Sequence, residues 1–457
     1  MFSKDYHIFF SGIGGIGMSG IAEILLIDGY RISGSDLKTS DITDRLKSLG
    51  ANIFEGHGRD NIKNANVLVI SSAIRQDNPE VIEAKKVGIP VILRADMLKE
   101  IMRTRHTVAV SGAHGKTTTT SLTGEVLIGG NLSPTVVVGG KMIGRGTNAL
   151  KGKGQYIVAE ADESDGSFLK YNPAISIVTN LDREHLDYYD GIDDIKNAFI
   201  SFINKTHFYG LAILCVDDPY VQEIIPHINV RYLTYGFSKE ADLRADNIGT
   251  RGDGSTFDVL LKDKKLGTIE LGVPGIHNVL NSLAAISTGL ELKIDFKDIK
   301  KTLSNVKGVK RRLEQKGFKN GVTVVDDYGH HPTEILTTLN AVKKSWPENR
   351  VVVMFQPHRF TRTKALFKEF SEAFVDADVL IMLPIYAASE DEIEGISGES
   401  LCNEVIANGH DNVKYIERES AVEYLETFLK KGDLLLTLGA GDVVKLGEAF
   451  LKRGISK

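Results

Sequence analysis

A run of β-branched residues that ends in a glycine-rich turn is the feature of this sequence that most constrains its fold. Val108–Ser111 is followed by Gly112-Ala-His-Gly-Lys-Thr-Thr118. At such a turn, backbone N–H groups face nucleotide phosphates, the following helix adds its dipole, Lys116 adds a charge and Thr117 offers a hydroxyl to Mg²⁺. The usual loop has another glycine where this chain has Val110. The pattern still predicts a phosphate site on an α/β domain, and a glycine-rich packing turn with an exposed lysine is the alternative.

The rest of the chain extends this pattern into several domains. Its 457 residues exceed what one hydrophobic core usually supports. Strand-like runs alternate with helical patterns, which favours parallel sheets. We therefore predict an α/β protein with three consecutive domains: a Rossmann-like domain at 1–104, a central P-loop ATPase-type domain with a mostly parallel sheet at 105–313, and a second Rossmann-like domain at 314–457.

The predicted elements follow from hydrophobic periodicity. The predicted strands are His7–Ser11, Tyr30–Ser33, Val67–Ile70, Val91–Leu93, Tyr156–Ala159, Ile175–Thr179, Leu211–Cys215, Val322–Val325, Val351–Phe355, Val379–Leu383 and Leu434–Leu438. The predicted helices are Ile16–Ile27, one that starts near Ile276, Thr333–Lys344, Thr363–Phe374 and Ala421–Leu429. A hairpin is expected around Gly252–Gly254.

Charge and composition argue against several classes of protein. The 60 acidic and 55 basic residues are well mixed and give a net charge of -5, which argues against a nucleic-acid or membrane-surface partner. Apolar runs are about strand length, so neither a membrane span nor a signal peptide is expected. Cys215 and Cys402 lie far apart and form no metal-binding spacing, which fits a reducing compartment. We expect a cytoplasmic enzyme.

A second glycine motif lies near the N-terminus. Gly12-Ile-Gly-Gly-Ile-Gly17 follows a predicted strand and opens a helix. Asp36 follows at roughly the sequence separation at which an acidic residue binds a ribose hydroxyl in such motifs. By itself this motif would suggest NAD, and a tight packing turn would need the same glycines. The motif therefore predicts a phosphate-binding role and leaves the ligand open.

Two polar loops follow strands of the central segment. One carries Glu160, Asp162, Glu163 and Asp165, whose charges repel each other unless cations are near. The other places His185 among acidic residues. Acidic residues at strand ends of nucleotide-binding folds often ligate Mg²⁺. We therefore favour a metal-binding or phosphate-binding role for Glu160 and His185 over a solvated acidic turn.

Further candidates lie at a helix start and at the second domain boundary. Asn278 could pair with an adenine edge or could cap its own helix, and the residues alone do not decide between these roles. The basic cluster that ends at Arg312 is either a surface patch or places a guanidinium on a phosphate.

The last segment has two loops rich in histidine and arginine. Val325–Glu334 and Phe355–Arg362 follow strands that look adjacent. Arg359 and Arg362, at positions i and i+3, are expected to share one face of a helix and to clamp an acidic substrate.

In this order the motifs resemble the Mur ligases of peptidoglycan synthesis, from Gly12 to Asp442. The motifs that carry the resemblance are specific together: Ser111-Gly-Ala-His-Gly-Lys-Thr117, Glu160-Ala-Asp-Glu-Ser164, His277-Asn-Val-Leu-Asn281, Asp326-Asp-Tyr-Gly-His-His-Pro332 and Gln356-Pro-His-Arg-Phe-Thr-Arg362. The family's loop is itself a shortened one, which accounts for Val110.

The resemblance assigns roles by position. It implies that a UDP-sugar rather than NAD binds at Gly12, Gly14, Gly15, Gly17, Asp36 and Ser71. It implies that ATP binds at Gly112, Ala113, His114, Gly115, Lys116, Thr117, Thr118, Asn278, Asn281 and Arg312. It assigns Mg²⁺ to Thr117, Glu160 and His185, and the substrate carboxylate and amino acid to Tyr328, His330, His358, Arg359 and Arg362. Catalysis would involve Lys116, Glu160, His185, Arg359 and Arg362.

The implied reaction is ATP-dependent joining of L-alanine to the lactyl carboxylate of UDP-N-acetylmuramate through an acyl phosphate, by a monomer or weak dimer. Siblings that add later residues carry a carbamate-modified lysine after the His185 loop, whereas this chain has Ala198-Phe-Ile-Ser201 there, with Lys196 and Lys205 nearby. This difference favours the alanine-adding branch. The alternatives are a recycling ligase that attaches a tripeptide, a nicotinamide-dependent oxidoreductase and a nucleotide-gated interaction protein.

Overall fold

A computed structural model describes residues 3–185, 188–388 and 390–453. The chain divides into two compact units. The first comprises 1–246, 258–269 and 280–307, and the second comprises 247–257, 270–279 and 308–457. The predicted N-terminal and central segments therefore belong largely to one unit. Within the described residues, no helix is long and apolar enough to cross a membrane.

The N-terminal segment is a five-stranded parallel sheet in the order β3-β2-β1-β4-β5. Its strands are β1 His7–Ser11, β2 Arg31–Asp36, β3 Asn52–Glu55, β4 Val67–Ile70 and β5 Val91–Leu93, and its helices are α1 Ile16–Ile27, α2 Asp41–Ser48, α3 Pro79–Val87 and α4 Arg94–Met102. Strand β2 runs beyond the predicted Ser33 because its pairing with β1 continues to Ser35. This strand order is that of a Rossmann-like sheet, as predicted.

The central segment contains a ten-stranded sheet in the order β15-β14-β13-β12-β11-β10-β6-β9-β7-β8. The strands are β6 His106–Ser111, β7 Thr135–Val137, β8 Ala149–Leu150, β9 Tyr156–Glu160, β10 Ile175–Val178, β11 Leu211–Cys215, β12 Tyr232–Gly236, β13 Leu243–Arg251, β14 Gly254–Leu261 and β15 Lys264–Leu271. The helices are α5 Lys116–Gly129, α6 Ile192–Ile203, α7 Pro219–Ile224, α8 Ile276–Glu291 and α9 Phe296–Leu303. The turn between β13 and β14 lies where the sequence predicts a hairpin.

In the last segment, six strands follow the order β16-β17-β21-β18-β19-β20. They are β16 Glu314–Lys319, β17 Val322–Asp327, β18 Arg350–Phe355, β19 Val379–Met382, β20 Val413–Tyr415 and β21 Asp433–Leu438. The helices are α10 Pro332–Ser345, α11 Phe360–Ala365, α12 Phe367–Ser371, α13 Gly398–Ala407, α14 Ala421–Phe428 and α15 Val444–Lys452. All pairings are parallel except that of the edge strand β16 with β17.

Two predictions about the helices and the strand order of the last segment are wrong. The expected helix Thr363–Phe374 is two short helices, because the backbone at Leu366 leaves the helical region at φ -118° and ψ 27°. The break lets Phe370 and Phe374 pack on Phe355, with ring centroids 5.9 and 5.0 Å from it. Strands β17 and β18 are also not adjacent, since β21 from the end of the chain lies between them. Sequence order does not reveal such an insertion.

Strand register brings the central loops to one edge of the sheet. Val110 on β6 lies beside Glu160 at the end of β9, and Ser111 lies beside Val178 at the end of β10. Because the three strands are parallel neighbours, the phosphate loop, the acidic loop and the loop that contains His185 all start at the same edge. In α/β sheets, ligands bind at this edge.

The sheet of the N-terminal segment leaves no room for a side chain at Gly34. A Cβ there would lie 2.5 Å from the Phe10 carbonyl oxygen and 2.8 Å from Ile13 Cδ1. We predict that Gly34→Ala destabilises the fold by roughly 1–3 kcal/mol, because the backbone of β1 must shift. The change in free energy of unfolding is measurable by urea denaturation. The matched variant Gly249→Ala is also in a strand, but its added Cβ would have no neighbouring atom within 4 Å, so it should shift the midpoint much less.

Candidate active site

The phosphate loop joins β6 to α5 through two glycines in the left-handed region. Gly112 has φ 136° and Gly115 has φ 81°. A Cβ on Gly112 would lie 2.1 Å from Thr179 Oγ1, and one on Gly115 would lie 2.6 Å from Asn281 Oδ1. No side chain caps the start of α5. The loop therefore needs glycine both for its backbone conformation and for the close approach of its neighbours.

Lys116 is held by the loop and by a buried carboxylate. Its Nζ donates to Glu163 Oε1 at 2.7 Å and to the carbonyl oxygens of Gly112 at 2.5 Å and Ala113 at 3.0 Å. Burial alone would lower the pKa of Lys116, but the charges of Glu163 and Asp162 raise it above its ordinary value. The lysine is therefore a fixed positive charge in the loop. The sequence marks Glu163 as one of four clustered carboxylates and does not single it out as the partner of Lys116.

The loop after β10 also contacts the phosphate loop, through His114. Asn180 Oδ1 accepts the backbone N–H of His114 at 2.8 Å, and Thr179 Oγ1 donates to the His114 carbonyl at 2.6 Å. The ring Nε2 of His114 lies 2.9 Å from Asp182 Oδ2. Sequence reasoning did not assign Asn180 and Asp182, although their position directly after a buried strand is the signal that could have found them.

The residues predicted to bind a metal have separate partners. Glu160 Oε1 accepts the backbone N–H of Gly139 at 2.6 Å. His185 Nε2 lies 3.6 Å from Glu163 Oε1 and 3.8 Å from Glu184 Oε2, and these carboxylates raise its pKa against the lowering effect of burial. Thr117 is buried in the first turn of α5. The carboxylate of Glu160 and the hydroxyl of Thr117 are oxygen donors of the type that Mg²⁺ prefers.

The N-terminal glycine motif is closed by Asp36. Its Oδ2 accepts the backbone N–H of Gly14 at 2.8 Å, and a Cβ on Gly14 would lie 2.8 Å from the same oxygen. The backbone N–H of Gly12 donates to the Ser35 carbonyl at 2.8 Å. Ser71 follows β4 at the same edge of the sheet. The predicted UDP-sugar residues thus lie at the ends of three neighbouring strands, β1, β2 and β4, at one edge of the sheet. Binding of a ribose by Asp36 stays a prediction.

A salt bridge connects this motif to the acidic loop. Arg94 Nη2 donates to Asp162 Oδ2 at 3.0 Å. A Cβ on Gly17 would lie 2.8 Å from Arg94 Nη1, so the glycine makes room for the guanidinium. The charges of Lys116 and Arg94 lower the pKa of Asp162, although burial alone would raise it. Nothing in the sequence singles out Arg94, because its partner Asp162 is 68 residues away.

The two asparagines of α8 have structural partners. Asn281 Oδ1 accepts from the Thr119 hydroxyl at 3.2 Å and packs against Gly115, so it supports the phosphate loop. Asn278 Nδ2 donates to the Pro274 carbonyl at 2.7 Å, a local contact just before the helix. Contact of either asparagine with adenine stays a prediction.

Four aromatic and basic side chains meet at the carboxyl edge of the last sheet. The ring centroid of His330 lies 5.2 Å from that of Tyr328 and 6.1 Å from that of His358. Arg362 Nη1 lies 3.4 Å from His358 Nδ1. Burial together with the charge of Arg362 lowers the pKa of each histidine to about 4. Both imidazoles are therefore neutral at neutral pH.

Arg312 lies beside this cluster. Its guanidinium stands 5.3 Å from the centroid of the Tyr328 ring, and Nη1 lies 3.8 Å from Glu334 Oε1. Contact with an ATP phosphate stays a prediction.

The expectation that Arg359 and Arg362 share one helical face is wrong. Arg359 lies just before the first turn of α11 and has φ 72°, so its backbone is not helical. Of the two arginines, only Arg362 belongs to the helix. Arg359 Nε lies 3.9 Å from Glu390 Oε1, whereas Arg362 reaches His358.

Two further residues that the sequence did not reveal hold this loop. The ring of Tyr386 stacks on His358, with centroids 5.5 Å apart and an interplanar angle of 7°. Glu390 accepts from the backbone N–H and hydroxyl of Thr361 at 3.0 and 2.7 Å. Both residues come from the segment that follows β19.

Comparison with known families agrees with this arrangement of sites. Residues 7–106 match "Mur ligase family, catalytic domain", residues 110–289 match "Mur ligase middle domain" and residues 311–441 match "Mur ligase, glutamate ligase domain". The chain belongs to the Mur ligase family. The expected three-domain α/β fold is thereby confirmed.

Two curated relatives that match this Mur ligase over 99% of its length carry the same name. The chain is 56% identical over 452 residues to a UDP-N-acetylmuramate--L-alanine ligase of Desulfatibacillum aliphaticivorans, covering 99% of each chain. It is 57% identical over 453 residues to the enzyme of that name from Desulforapulum autotrophicum, again covering 99% of each. A crystal structure of a UDP-N-acetylmuramate-alanine ligase from Thermotoga maritima matches with a TM-score of 0.84 and 28% identity, covering 98% of each chain.

The low pKa values of the two histidines are testable. Because the fold stabilises neutral imidazoles, the unfolded chain takes up protons first as pH falls. The stability that these histidines contribute is therefore complete above pH 6.5 and is lost as pH falls from 6.5 toward about 4. In Arg362→Ala we expect both pKa values to rise, since one cause of the lowering is gone, as followed by NMR titration of the ring protons. Arg359→Ala should raise the pKa of His358 and leave His330 in place; equal movement of both rings in Arg359→Ala would contradict this assignment.

Proposed function

We propose that this Mur ligase joins L-alanine to the lactyl carboxylate of UDP-N-acetylmuramate and converts ATP to ADP and phosphate. The observation that carries the proposal is the phosphate loop with Lys116 fixed beside Glu163, at the same sheet edge as Glu160 and His185. The name shared by full-length relatives supports the choice of substrates.

In the first step, a lactyl carboxylate oxygen attacks the γ-phosphorus of ATP. The bond from that phosphorus to the bridging oxygen breaks, which gives an acyl phosphate and ADP. Negative charge builds up on the transferred oxygens, and fixed positive groups stabilise it best. Lys116 supplies such a charge, because its hydrogen bonds to two carbonyl oxygens of the loop and to Glu163 hold the ammonium in place beside the loop.

In the second step, the neutral α-amine of alanine attacks the acyl carbon. The carbon–oxygen bond to phosphate breaks, the amide forms, and the nitrogen gives up a proton to the departing phosphate or to solvent. Arg359 and Arg362 carry the charges proposed to hold the carboxylates of the reactants. His330 and His358 are neutral, so the two arginines are the groups of this cluster proposed to bind those carboxylates by charge.

We propose that Thr117 and Glu160 hold Mg²⁺ and that His185 lies at a second position. The hydroxyl and carboxylate oxygens fit a hard cation. When bound, Mg²⁺ would neutralise charge on the phosphate oxygens. The residues themselves contribute fixed geometry, since Gly139 holds one oxygen of Glu160.

The alternatives have less support. A murein peptide ligase from Psychrobacter arcticus matches with a TM-score of 0.74 at 24% identity, a level that shows the shared fold alone. An oxidoreductase would leave the phosphate loop and the histidine and arginine cluster without a role. Both lysines near the position of the carbamate lysine in sibling ligases have other partners: Lys196 pairs with Glu223 at 2.5 Å, and Lys205 donates to the Leu169 carbonyl oxygen.

Mass spectrometry tests the proposal directly. The protein is incubated with ATP, UDP-N-acetylmuramate and a mixture of amino acids, and the expected product is the alanine adduct with one ADP per amide. Lys116→Ala should slow formation of the adduct by about a hundredfold or more, since losing a charged donor to the phosphoryl group costs roughly 3 kcal/mol of barrier or more. Lys196→Ala should retain the activity. Parallel incubations contain a tripeptide or NADH in place of the amino acids. Formation of a tripeptide adduct without an alanine adduct, or oxidation of the NADH, would contradict the proposal.

The metal assignment predicts a specific change in Glu160→Gln. The amide keeps the shape and can still accept from Gly139, but it loses the charge that attracts Mg²⁺. We expect the Mg²⁺ concentration for half-maximal rate to rise at least about tenfold while binding of ADP without metal changes little. Glu125→Gln, at the Glu125–Arg145 surface ion pair, is the matched control. An unchanged metal dependence in Glu160→Gln would return Glu160 to a purely structural role.

A further inference from the structure

A buried carboxylate lies at the centre of a polar cluster in the N-terminal sheet, apart from the phosphate loop. Glu80, the second residue of α3, has no exposed surface. Its Oε2 accepts from the hydroxyls of Ser11 at 2.6 Å and Ser35 at 2.7 Å, and lies 3.1 Å from His57 Nδ1. Its Oε1 accepts from the Asn61 amide at 2.9 Å and from the Gly58 backbone N–H at 3.3 Å. Buried carboxylates are costly, so five donors around one carboxylate indicate a built site.

The cluster determines which ring nitrogen of His57 carries the proton. A carboxylate oxygen only accepts, so Nδ1 must donate where it faces Glu80. The hydroxyl of Ser35, which donates to Glu80, offers a lone pair to the same Nδ1 at 2.9 Å. The neutral ring therefore has Nδ1–H and a free lone pair on Nε2. No hydrogen bond joins Nε2 to another residue in the described part of the chain, and the side chain is 14% exposed.

The position of His57 relates this lone pair to the glycine motif. Ser11 ends β1 directly before Gly12, and Ser35 precedes Asp36 at the end of β2. The loop of His57 follows β3, whose last residue lies beside Asp36. The histidine therefore stands at the same carboxyl edge as the residues proposed to bind the UDP-sugar.

We propose that Glu80 is a positioning residue that holds His57 as an acceptor for the N3–H of a uracil base. The inference rests on the proposed function, because it assumes a uridine nucleotide at this edge. Uracil presents an N–H donor at N3, whereas cytosine presents an acceptor there. An acceptor fixed at Nε2 pairs with uracil and leaves two lone pairs facing each other with cytosine. Glu80 thereby makes the N-terminal segment selective for uridine over cytidine nucleotides.

Calorimetry on the full chain tests this selectivity with UDP, CDP and UDP methylated at N3. The wild type should bind UDP about tenfold or more tightly than either of the other two nucleotides. Glu80→Gln keeps the shape but places an amide donor among donors, so the tautomer is no longer fixed. The preference for UDP should fall to within about threefold of unity. The ¹⁵N shifts of the His57 ring should also lose the Nδ1–H pattern seen in the wild type.

Two further variants separate positioning from a merely structural role. His57→Phe removes the acceptor and leaves Glu80 with its four other donors, so it should also lose the preference for UDP even if Glu80→Gln does not fold. Glu23→Gln changes another buried carboxylate of this segment, which is paired with Arg45, and should keep the preference. Equal weakening of UDP and CDP in Glu80→Gln and His57→Phe, with the ratio preserved, would overturn the inference alone. A wild type that binds no UDP would overturn the proposed function along with it.

Discussion

The ion pair between Lys116 and Glu163 is the interaction on which the candidate active site depends. A lysine in a phosphate loop is costly to bury without a counter-charge, and so is a carboxylate that is 4% exposed. At 2.7 Å each charge offsets the cost of burying the other, and Lys116 also donates to two carbonyl oxygens of its own loop. The pair therefore joins the loop after β6 to the loop after β9. Glu163 Oε2 has no hydrogen-bond partner within the described residues, and His185 Nε2 lies 3.6 Å from Oε1, the oxygen that also accepts from Lys116.

The same electrostatic arrangement recurs where the substrate anions are proposed to bind. Arg94 pairs with Asp162 beside the first glycine motif, and Arg359 lies near Glu390 in the last segment. Cations that are arranged to meet phosphates or carboxylates repel other positive groups when no substrate is bound. Carboxylates of the protein reduce this electrostatic repulsion and keep each cation oriented. An incoming anion then competes with a weakly held, partly exposed partner rather than with bulk water alone.

Much of the architecture was predictable because it is local. The helix Ile16–Ile27 has the predicted bounds, and the Rossmann-like sheet follows from alternating strands and helices. The glycine motifs were found because their chemistry depends on neighbours in sequence. The break at Leu366 was not predictable, because it depends on how Phe370 and Phe374 reach a core built from distant strands. The separation of β17 and β18 was missed for the same reason, since the intervening strand comes from the end of the chain.

The sequence by itself determined the order and spacing of the loop glycines, the lysine and the clustered acids, and from that order it predicts which residues bind phosphate, metal and carboxylate. Only the tertiary structure decided which carboxylate serves which cation: Glu163 was one of four acids, and Arg94 had no signal at all. Pairing depends on strand register and on the direction of side chains across the sheet edge. The tautomer of His57 is a further case, because five donors from separate turns and strands must meet at Glu80 before one ring nitrogen becomes an acceptor. Such convergence is a property of the folded chain, since residues far apart in sequence come together only when the sheet has formed.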